Sequence, residues 1–245
     1  FISSGFSDPY KHFIEIGRPE AFPYPAFMLF ILSIPSLTFG WLSDNLFFTL
    51  FLYRIPLIIA DIIIFFVLRS WLSSQNHLNL LWLYWLSPVL LYISFIHGQL
   101  DVIPICLLFL SLNFLFKDDL VKSAIFLGLC LATKTMTFIV LPFLLLYFLS
   151  HKVAFKKVFS FGIITVFLFL IPNAPFLFNE SFYSMVFGNQ EQTKILEASF
   201  FLGSTPLFLI PLAYLLLLSK GLTIRTFNRD IFTMFLGFGF GIILI

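Results

Sequence analysis

Long apolar runs, each closed by a short polar or basic connection, set the rhythm of this chain. The clearest cover residues 46–68, 78–96, 100–116, 124–132, 136–149, 158–172, 201–218 and 231–245. A helix needs about 20 apolar residues to cross the hydrocarbon core of a bilayer. Most of the runs approach that length and predict transmembrane helices. Residues 124–132 and 136–149 fall short; joined at Thr133-Lys134-Thr135, they predict a helical hairpin whose tip lies beneath the membrane surface.

The connections alternate in charge. Arg69, then Lys117 and Lys122, then Lys152, Lys156 and Lys157, then Lys220, Arg225 and Arg229 occupy every second one. The intervening connections, 97–101, 133–135 and the long loop 173–199, are poorer in Lys and Arg. Cytoplasmic loops carry the excess of Lys and Arg, so the first set is expected inside and the second outside. That assignment puts Asp44 and Asn45 outside. The segment 24–42, broken by Pro25 and Pro35 and closed by Gly40-Trp41, is then expected to return without crossing, as a re-entrant or juxtamembrane helix. The polar segment 1–23 predicts a loop with one helical turn around 9–16. Together these readings predict an all-α polytopic membrane protein, a single transmembrane domain over 1–245. It comprises an external loop 1–44 with a juxtamembrane helix, a helical module 45–172, an external loop 173–200 and further spans in 201–245.

Composition agrees with lipid as the solvent. Of 245 residues, 60% are hydrophobic and 11% charged, and mean hydropathy is +1.03. Soluble domains carry about 25% charged residues, so no soluble core would hide this much apolar surface. The net charge of +2 is scattered between apolar runs rather than gathered in a stripe, which argues against a nucleic-acid surface. Cys106 and Cys130 fall inside apolar runs and read as packing residues. The chain opens at Phe1 and stops within an apolar run at Ile245, so it is expected to be a fragment lacking the first span and the C-terminal spans.

Ionisable groups at membrane depth are costly and mark functional sites. On the external side the sequence collects Asp8, His12, Glu15, Arg54, His97, Asp101 and Lys134, with the polar Gln99 among them. Arg54 lies two turns into its span and needs water, phosphate or a carboxylate; snorkelling to the interface is the bland alternative. Asp61, two turns further, reads as well as a structural aspartate as a catalytic one. Asp101 alone could cap the next helix, but a cap leaves His97 and Gln99 beside it unexplained. Lys134 offers a phosphate a point charge; alternatively it pairs with Asp101 or another carboxylate. The long loop 173–199 holds Asn173, Asn179, Glu180, Asn189, Gln190, Glu191, Gln192, Lys194 and Glu197 among aromatics, and is expected to fold back over the surface. Within it Asn179-Glu180-Ser181 has the pattern of a glycosylation sequon. No nucleophile elbow, P-loop or Cys/His metal spacing is present. Two recessed cations suit a lipid phosphate, and a nearby carboxylate suits a general base for one displacement step.

These positions also carry a resemblance. Ser7-Asp8-Pro9-Tyr10, Phe22-Pro23-Tyr24-Pro25, Leu52-Tyr53-Arg54-Ile55-Pro56 with Ala60-Asp61, Trp85-Leu86-Ser87-Pro88, His97-Gly98-Gln99-Leu100-Asp101 and Ala132-Thr133-Lys134-Thr135 occur in that order. In order and spacing they resemble the GT-C integral-membrane glycosyltransferases that use polyprenyl-phosphate sugars, above all the mannosyltransferase-like branch. An alanine stands where the family's second Tyr-Pro-Pro proline often lies, and Thr135 replaces the proline of its Thr-Lys-Pro turn. The resemblance implies an inverting hexosyltransferase acting at the external or luminal face, in the plasma membrane of a prokaryote or the endoplasmic reticulum. It implies a polyprenyl- or dolichyl-phosphate-linked mannose or glucose as donor and a glycan, lipid or protein hydroxyl as acceptor. Asp8 matches the family's base; Arg54 and Lys134 match phosphate ligands; Tyr24, His97, Gln99 and Asp101 match substrate contacts. No cofactor beyond the lipid donor is required, and a divalent metal is left open, since no compact set of carboxylates stands at ligand spacing. Two alternatives compete. A lipid-linked-sugar or small-solute transporter should show related halves with matching broken helices, and 24–42 and 124–149 do not repeat each other. A non-catalytic subunit of the same fold would keep the scaffold without the base.

Overall fold

The computed structural model of the chain describes residues 7–43, 45–73, 76–189, 198–202 and 205–243. Asp44 and the loop residues Gln190, Glu191, Gln192, Lys194 and Glu197 lie outside the described residues. Helices dominate, and their ends follow from local chemistry. Helix α1 (Pro9–Glu15) starts where the Asp8 carboxylate accepts from the amides of Tyr10 (2.9 Å) and Lys11 (3.3 Å), with Pro9 in the first turn. Helix α2 (Ala26–Phe39) follows Pro25 and has no side-chain cap of its own segment. A 3-10 turn, Gly40–Leu42, leads from it toward α3 (Leu46–Trp71), which Asn45 caps through the Phe47 amide at 2.9 Å.

The run expected as one span over 78–96 is broken. It divides into α4 (His77–Leu80), a π-helical turn Leu81–Trp85, α5 (Pro88–Leu91) and a second π-helical turn Tyr92–His97. Ser87-Pro88 explains the break: proline lacks the amide and its ring clashes with the preceding turn, and widened turns absorb the mismatch. Gly98, at φ 70°, then reverses the chain in a conformation that glycine alone adopts cheaply.

From Asp101 the chain runs down α6 (Val102–Leu115), turns at Lys117-Asp118-Asp119 and returns along α7 (Leu120–Leu131) to Lys134. A 3-10 turn, Thr135–Ile139, opens α8 (Val140–Ser150); α9 (Phe155–Asn173) and the short α10 (Glu180–Val186) follow. A two-stranded antiparallel ribbon, β1 (Ser199–Leu202) with β2 (Thr205–Phe208), precedes α11 (Leu209–Leu222) and α12 (Arg229–Ile243). The chain is otherwise helical, as the all-α expectation has it; the ribbon corrects the predicted span 201–218, whose first residues are strand. Phe200, Phe201 and Phe208 suit a pleated ribbon as well as a helix, and composition alone did not separate the two.

Helix α7 lies at the centre. It packs between α6 and α9, and Gly128 makes the closeness to α9 necessary: a Cβ there would sit 2.5 Å from the Thr165 carbonyl oxygen. Ser111 donates to the Ser123 carbonyl at 2.9 Å, and Cys130 thiol to the Pro104 carbonyl at 3.2 Å, so the cysteines are buried packing residues as expected. Helices α8, α11 and α12 close around Phe143, Tyr214 and Phe232. Met28 and Leu32 of α2 pack on Leu57, Ala60 and Ile64 of α3 and on Ile103 and Cys106 of α6. Tyr10 joins α1 to α10 through Phe176, Phe182 and Met185.

Among the described residues, Leu46–Trp71 and Phe155–Phe176 are long and apolar enough to cross a membrane. Helix α9 alone, at 19 residues, spans about 28 Å, close to the thickness of a hydrocarbon core at about 30 Å. The other apolar helices are shorter.

Candidate functional site

The start of α2 is where the expected external loops meet. Two of its first amides are satisfied from distant parts of the chain: Ala26 donates to Asn173 Oδ1 at 2.9 Å, and Phe27 to the Ala132 carbonyl at 3.2 Å. Asn173 is fully buried and its amide nitrogen is spent on the Phe169 carbonyl, 2.7 Å away. The end of α9 and the end of α7 thus hold the first turn of α2 in place. Tyr24 stands directly before this turn, and its backbone carbonyl accepts from the Tyr10 hydroxyl at 2.8 Å.

Lys134 follows Ala132 and Thr133 in the coil after α7. Its Nζ lies 2.6 Å from Asp101 Oδ1, in a pair whose side chains are 29% and 35% exposed. Asp101 occupies the N-cap position of α6, yet its side chain makes no capping hydrogen bond. The capping account of Asp101 is therefore replaced by the ion pair, one of the alternatives that the sequence leaves open for Lys134. Tyr24 completes the cluster. Burial first, then the negative charge of Asp101 and then Tyr53, push its phenol up to about 12, so it stays a neutral hydroxyl at any physiological pH.

Asp8 is tied to the same region through its neighbour. Its Oδ1 caps α1, and Oδ2 accepts from the Asn179 side-chain amide. Asn179 in turn caps α10 by accepting from the Ser181 amide at 2.8 Å. Two helix N-caps, one from each external loop, stand back to back and share a hydrogen bond. Burial, then the Asp8 charge, lift the Tyr10 phenol well above its ordinary range, which keeps it a donor to Tyr24.

Arg54 is exposed on α3 and has no hydrogen bond or ion pair among the described residues. Its neighbour Tyr53 is within electrostatic reach of Tyr24. His97 stacks on Tyr92 with parallel rings 6.3 Å apart, and Gln99 is exposed; neither is hydrogen-bonded to Asp101 or Lys134. The structure thus brings Tyr24, Asp101 and Lys134 together and links Asp8 to them through Tyr10. Arg54 is linked to that group only through its chain neighbour Tyr53 on α3, and His97 and Gln99 join it only along the chain. Asp61 is buried and accepts from the Tyr84 hydroxyl at 2.6 Å, a structural partner across the helices.

Sequence reasoning gave no structural role to Asn173, Tyr10 or the Ala132 carbonyl, and read Asn179 only as a sequon. Asn179 before Glu180 at a helix start, and Asp8 before Pro9, carry an N-cap signal, but nothing local shows that the two caps meet. The sequon pattern at Asn179 has a different use here, because the nitrogen that would carry a glycan donates to Asp8.

Below the cluster lies an apolar cavity of about 370 Å³ between α2, α3 and α6, lined by Ile31, Pro35, Ile55, Ile59, Ile103 and Cys106 among others. Of its lining residues, Ile55 follows Arg54 in the chain and Ile103 is two residues beyond Asp101. Among the described residues no three His, Cys, Asp or Glu side chains are placed to hold a metal ion.

The model of the ALG6, ALG8 glycosyltransferase family matches residues 43–188. That segment contains Arg54, His97, Gln99, Asp101, Lys134, Asn173 and Asn179, while Asp8 and Tyr24 precede it. No curated protein and no solved structure matches the chain.

Proposed function

We propose, for a chain that belongs to the ALG6, ALG8 glycosyltransferase family, the transfer of a hexose from a polyprenyl-phosphate donor to an acceptor hydroxyl, with inversion. The family makes the chain a membrane glycosyltransferase and leaves the transporter reading without support. The finer statements are our reading: glucose or mannose as the sugar, the luminal face of the endoplasmic reticulum as the place, and a glycan, lipid or protein as acceptor.

The observation that carries the reading is the Lys134–Asp101 pair at the start of α6, the helix whose Ile103 and Cys106 line an apolar cavity. A phosphate ester of a long isoprenoid needs a cation at its head and a dry channel for its tail. Lys134 uses one of its three donors on Asp101 and keeps two, and Arg54 on α3 has no ion pair among the described residues. Tyr24 is a neutral donor for a sugar hydroxyl, with His97 and Gln99 at the rim. Segment 24–42, as α2, serves as the juxtamembrane helix that roofs the channel.

Asp8 acts as base. A carboxylate offers about four lone-pair directions, and three are engaged by Tyr10, Lys11 and Asn179. The remaining one takes the proton of the acceptor hydroxyl as its oxygen attacks the anomeric carbon. The bond from that carbon to the phosphate oxygen breaks, and the polyprenyl phosphate leaves on Lys134 and Arg54. Loss of the bond on one face as another forms on the opposite face inverts the anomeric centre.

A non-catalytic member of the same fold is the second reading, favoured by the commitment of both Asp8 oxygens to existing hydrogen bonds. The test is transfer of labelled glucose and mannose from dolichyl- and undecaprenyl-phosphate donors in membranes carrying the full-length protein. We expect transfer by wild type, its loss in Asp8→Asn with donor still bound, and reduced transfer in Lys134→Ala. Full activity in Asp8→Asn would remove Asp8 as base; absence of transfer from every donor by wild type would favour the non-catalytic reading.

A further inference from the structure

At the opposite end of α9 from the site, the α6–α7 turn and the first turns of α9 enclose a second cavity of about 570 Å³. Lys117, Lys156, Lys157 and Ser160 line it, over an apolar floor that includes Phe161 and Ile164. The two carboxylates of the turn do not neutralise it. Asp119 is already used: it accepts from the Lys122 amide at 3.1 Å and pairs with the Lys122 ammonium at 2.7 Å. Asp118, held at φ 60° in the turn, is the other carboxylate that lines the cavity with Lys117, Lys156 and Lys157. None of Lys117, Lys156 and Lys157 forms an ion pair among the described residues.

Polar and apolar features continue into each other here. The outward face of α9 runs on from the cavity through Ile163, Val166 and Phe167, which are 54%, 55% and 60% exposed. Phe155 and Phe159 stack 6.2 Å apart beside the lysines and are exposed as well. A cavity of lysines that opens onto a lipid-facing stripe matches one ligand chemistry: a phosphate bearing acyl chains. Basic pockets between spanning helices on the cytoplasmic side are suited to anionic headgroups, and a lysine near such a surface contributes about a 5-fold preference.

We propose that this cavity holds the headgroup of an anionic phospholipid of the leaflet opposite the transfer site, with its chains along α9. The proposal rests on the membrane reading and is independent of the sugar, the acceptor and the base.

The test uses the full-length protein in phosphatidylcholine nanodiscs with a minor fraction of phosphatidylinositol, followed by native mass spectrometry of retained lipid. Wild type is expected to retain phosphatidylinositol in preference to phosphatidylcholine. Lys156→Gln/Lys157→Gln is expected to lose about 30-fold of that preference, and Lys117→Gln, on a separate element, about 5-fold. Lys220→Gln, a basic residue outside the cavity, should leave it unchanged. Transfer activity and unfolding temperature of the variants show that the fold is intact. Retained preference in both the double variant and Lys117→Gln would overturn the site. Equal loss in Lys220→Gln would replace it with general surface charge. Displacement of phosphatidylinositol by inorganic phosphate at a matched concentration would identify a free phosphate, not a lipid, as the ligand.

Discussion

Replacing Asn173 by alanine tests whether the start of α2 is held by a single side chain. The wild-type Oδ1 is the acceptor of the Ala26 amide at 2.9 Å, in a site with no exposure for either residue. In Asn173→Ala that amide loses its partner and no water replaces it without opening the packing. An orphaned buried donor costs about 1–3 kcal/mol. The second bond, from Asn173 Nδ2 to the Phe169 carbonyl, is local to α9, so its loss adds little. The cost falls on the docking of α2, where the Phe27 amide still reaches the Ala132 carbonyl at 3.2 Å. Hydrogen exchange reads this locally. Amides at the beginning of α2 should exchange about 5- to 150-fold faster in the variant, while those in the centre of α7 stay protected. Transfer should fall as well, because Tyr24 immediately precedes the released turn. Unchanged exchange at the start of α2, in a variant with normal expression, would refute the reasoning and leave the Ala132 carbonyl as the sufficient anchor.

Three other outcomes follow from the same geometry. Asn179→Ala should detach Asp8 from the second loop and lower the catalytic constant of transfer with little change in donor KM, with partial rescue by Asn179→Gln; an equal loss in both constants would indicate a general disturbance. For Tyr24 the folded phenol is raised from its ordinary 10 to about 12. Its contribution is therefore complete below pH 10 and is lost as pH rises toward 12, because the unfolded chain releases a proton that the folded chain keeps. Tyr24→Phe should flatten that part of a stability–pH curve, and an identical curve would show that Tyr24 titrates normally. Gly128→Ala places a Cβ 2.5 Å from the Thr165 oxygen and 2.7 Å from Leu168 Cβ. Separation of α7 from α9 should cost about 1–3 kcal/mol, read as a lower unfolding temperature than Gly162→Ala, which meets nothing.

Helices were legible because lipid imposes a simple rule: runs of apolar residues near the right length become helices, and 46–68, 100–116 and 158–172 did so within a few residues at most boundaries, the first and last of them long enough to cross a membrane. The motif residues Tyr24, Asp101 and Lys134 were legible because charged or polar groups beside such runs are rare. What failed did so where the decision is not local. Residues 78–96 have the composition of a span, yet Pro88 and the turns around it divide them. Phe201 and its neighbours are apolar in helix and ribbon alike. The buried Asn173 looked like an ordinary loop residue. Its importance comes from Ala26, 147 residues away in sequence, and no periodicity carries that information. Likewise a cap at Asp8 and a cap at Asn179 are each readable alone, but their shared hydrogen bond exists only once α1 lies against α10.

The charge arrangement of the site also ranks its two cations. Lys134 and Asp101 form a closed pair, each about a third exposed, so the recessed end of the site is nearly neutral before any donor arrives. A lipid phosphate brought to Lys134 also meets Asp101, and the attraction of one is offset by the repulsion of the other. Arg54 has no such partner among the described residues. Its guanidinium offers a planar fork suited to phosphate oxygens, and it precedes Ile55, which lines the apolar cavity. On the proposed function, the donor phosphate gains more from Arg54 on binding. Lys134 gains importance later, when the breaking sugar–phosphate bond leaves extra negative charge on the phosphate and one more lysine donor is drawn from Asp101. On this reasoning Arg54→Gln raises the donor KM, whereas Lys134→Gln lowers the catalytic constant. The opposite split, measured with the same donor, would reverse the two roles.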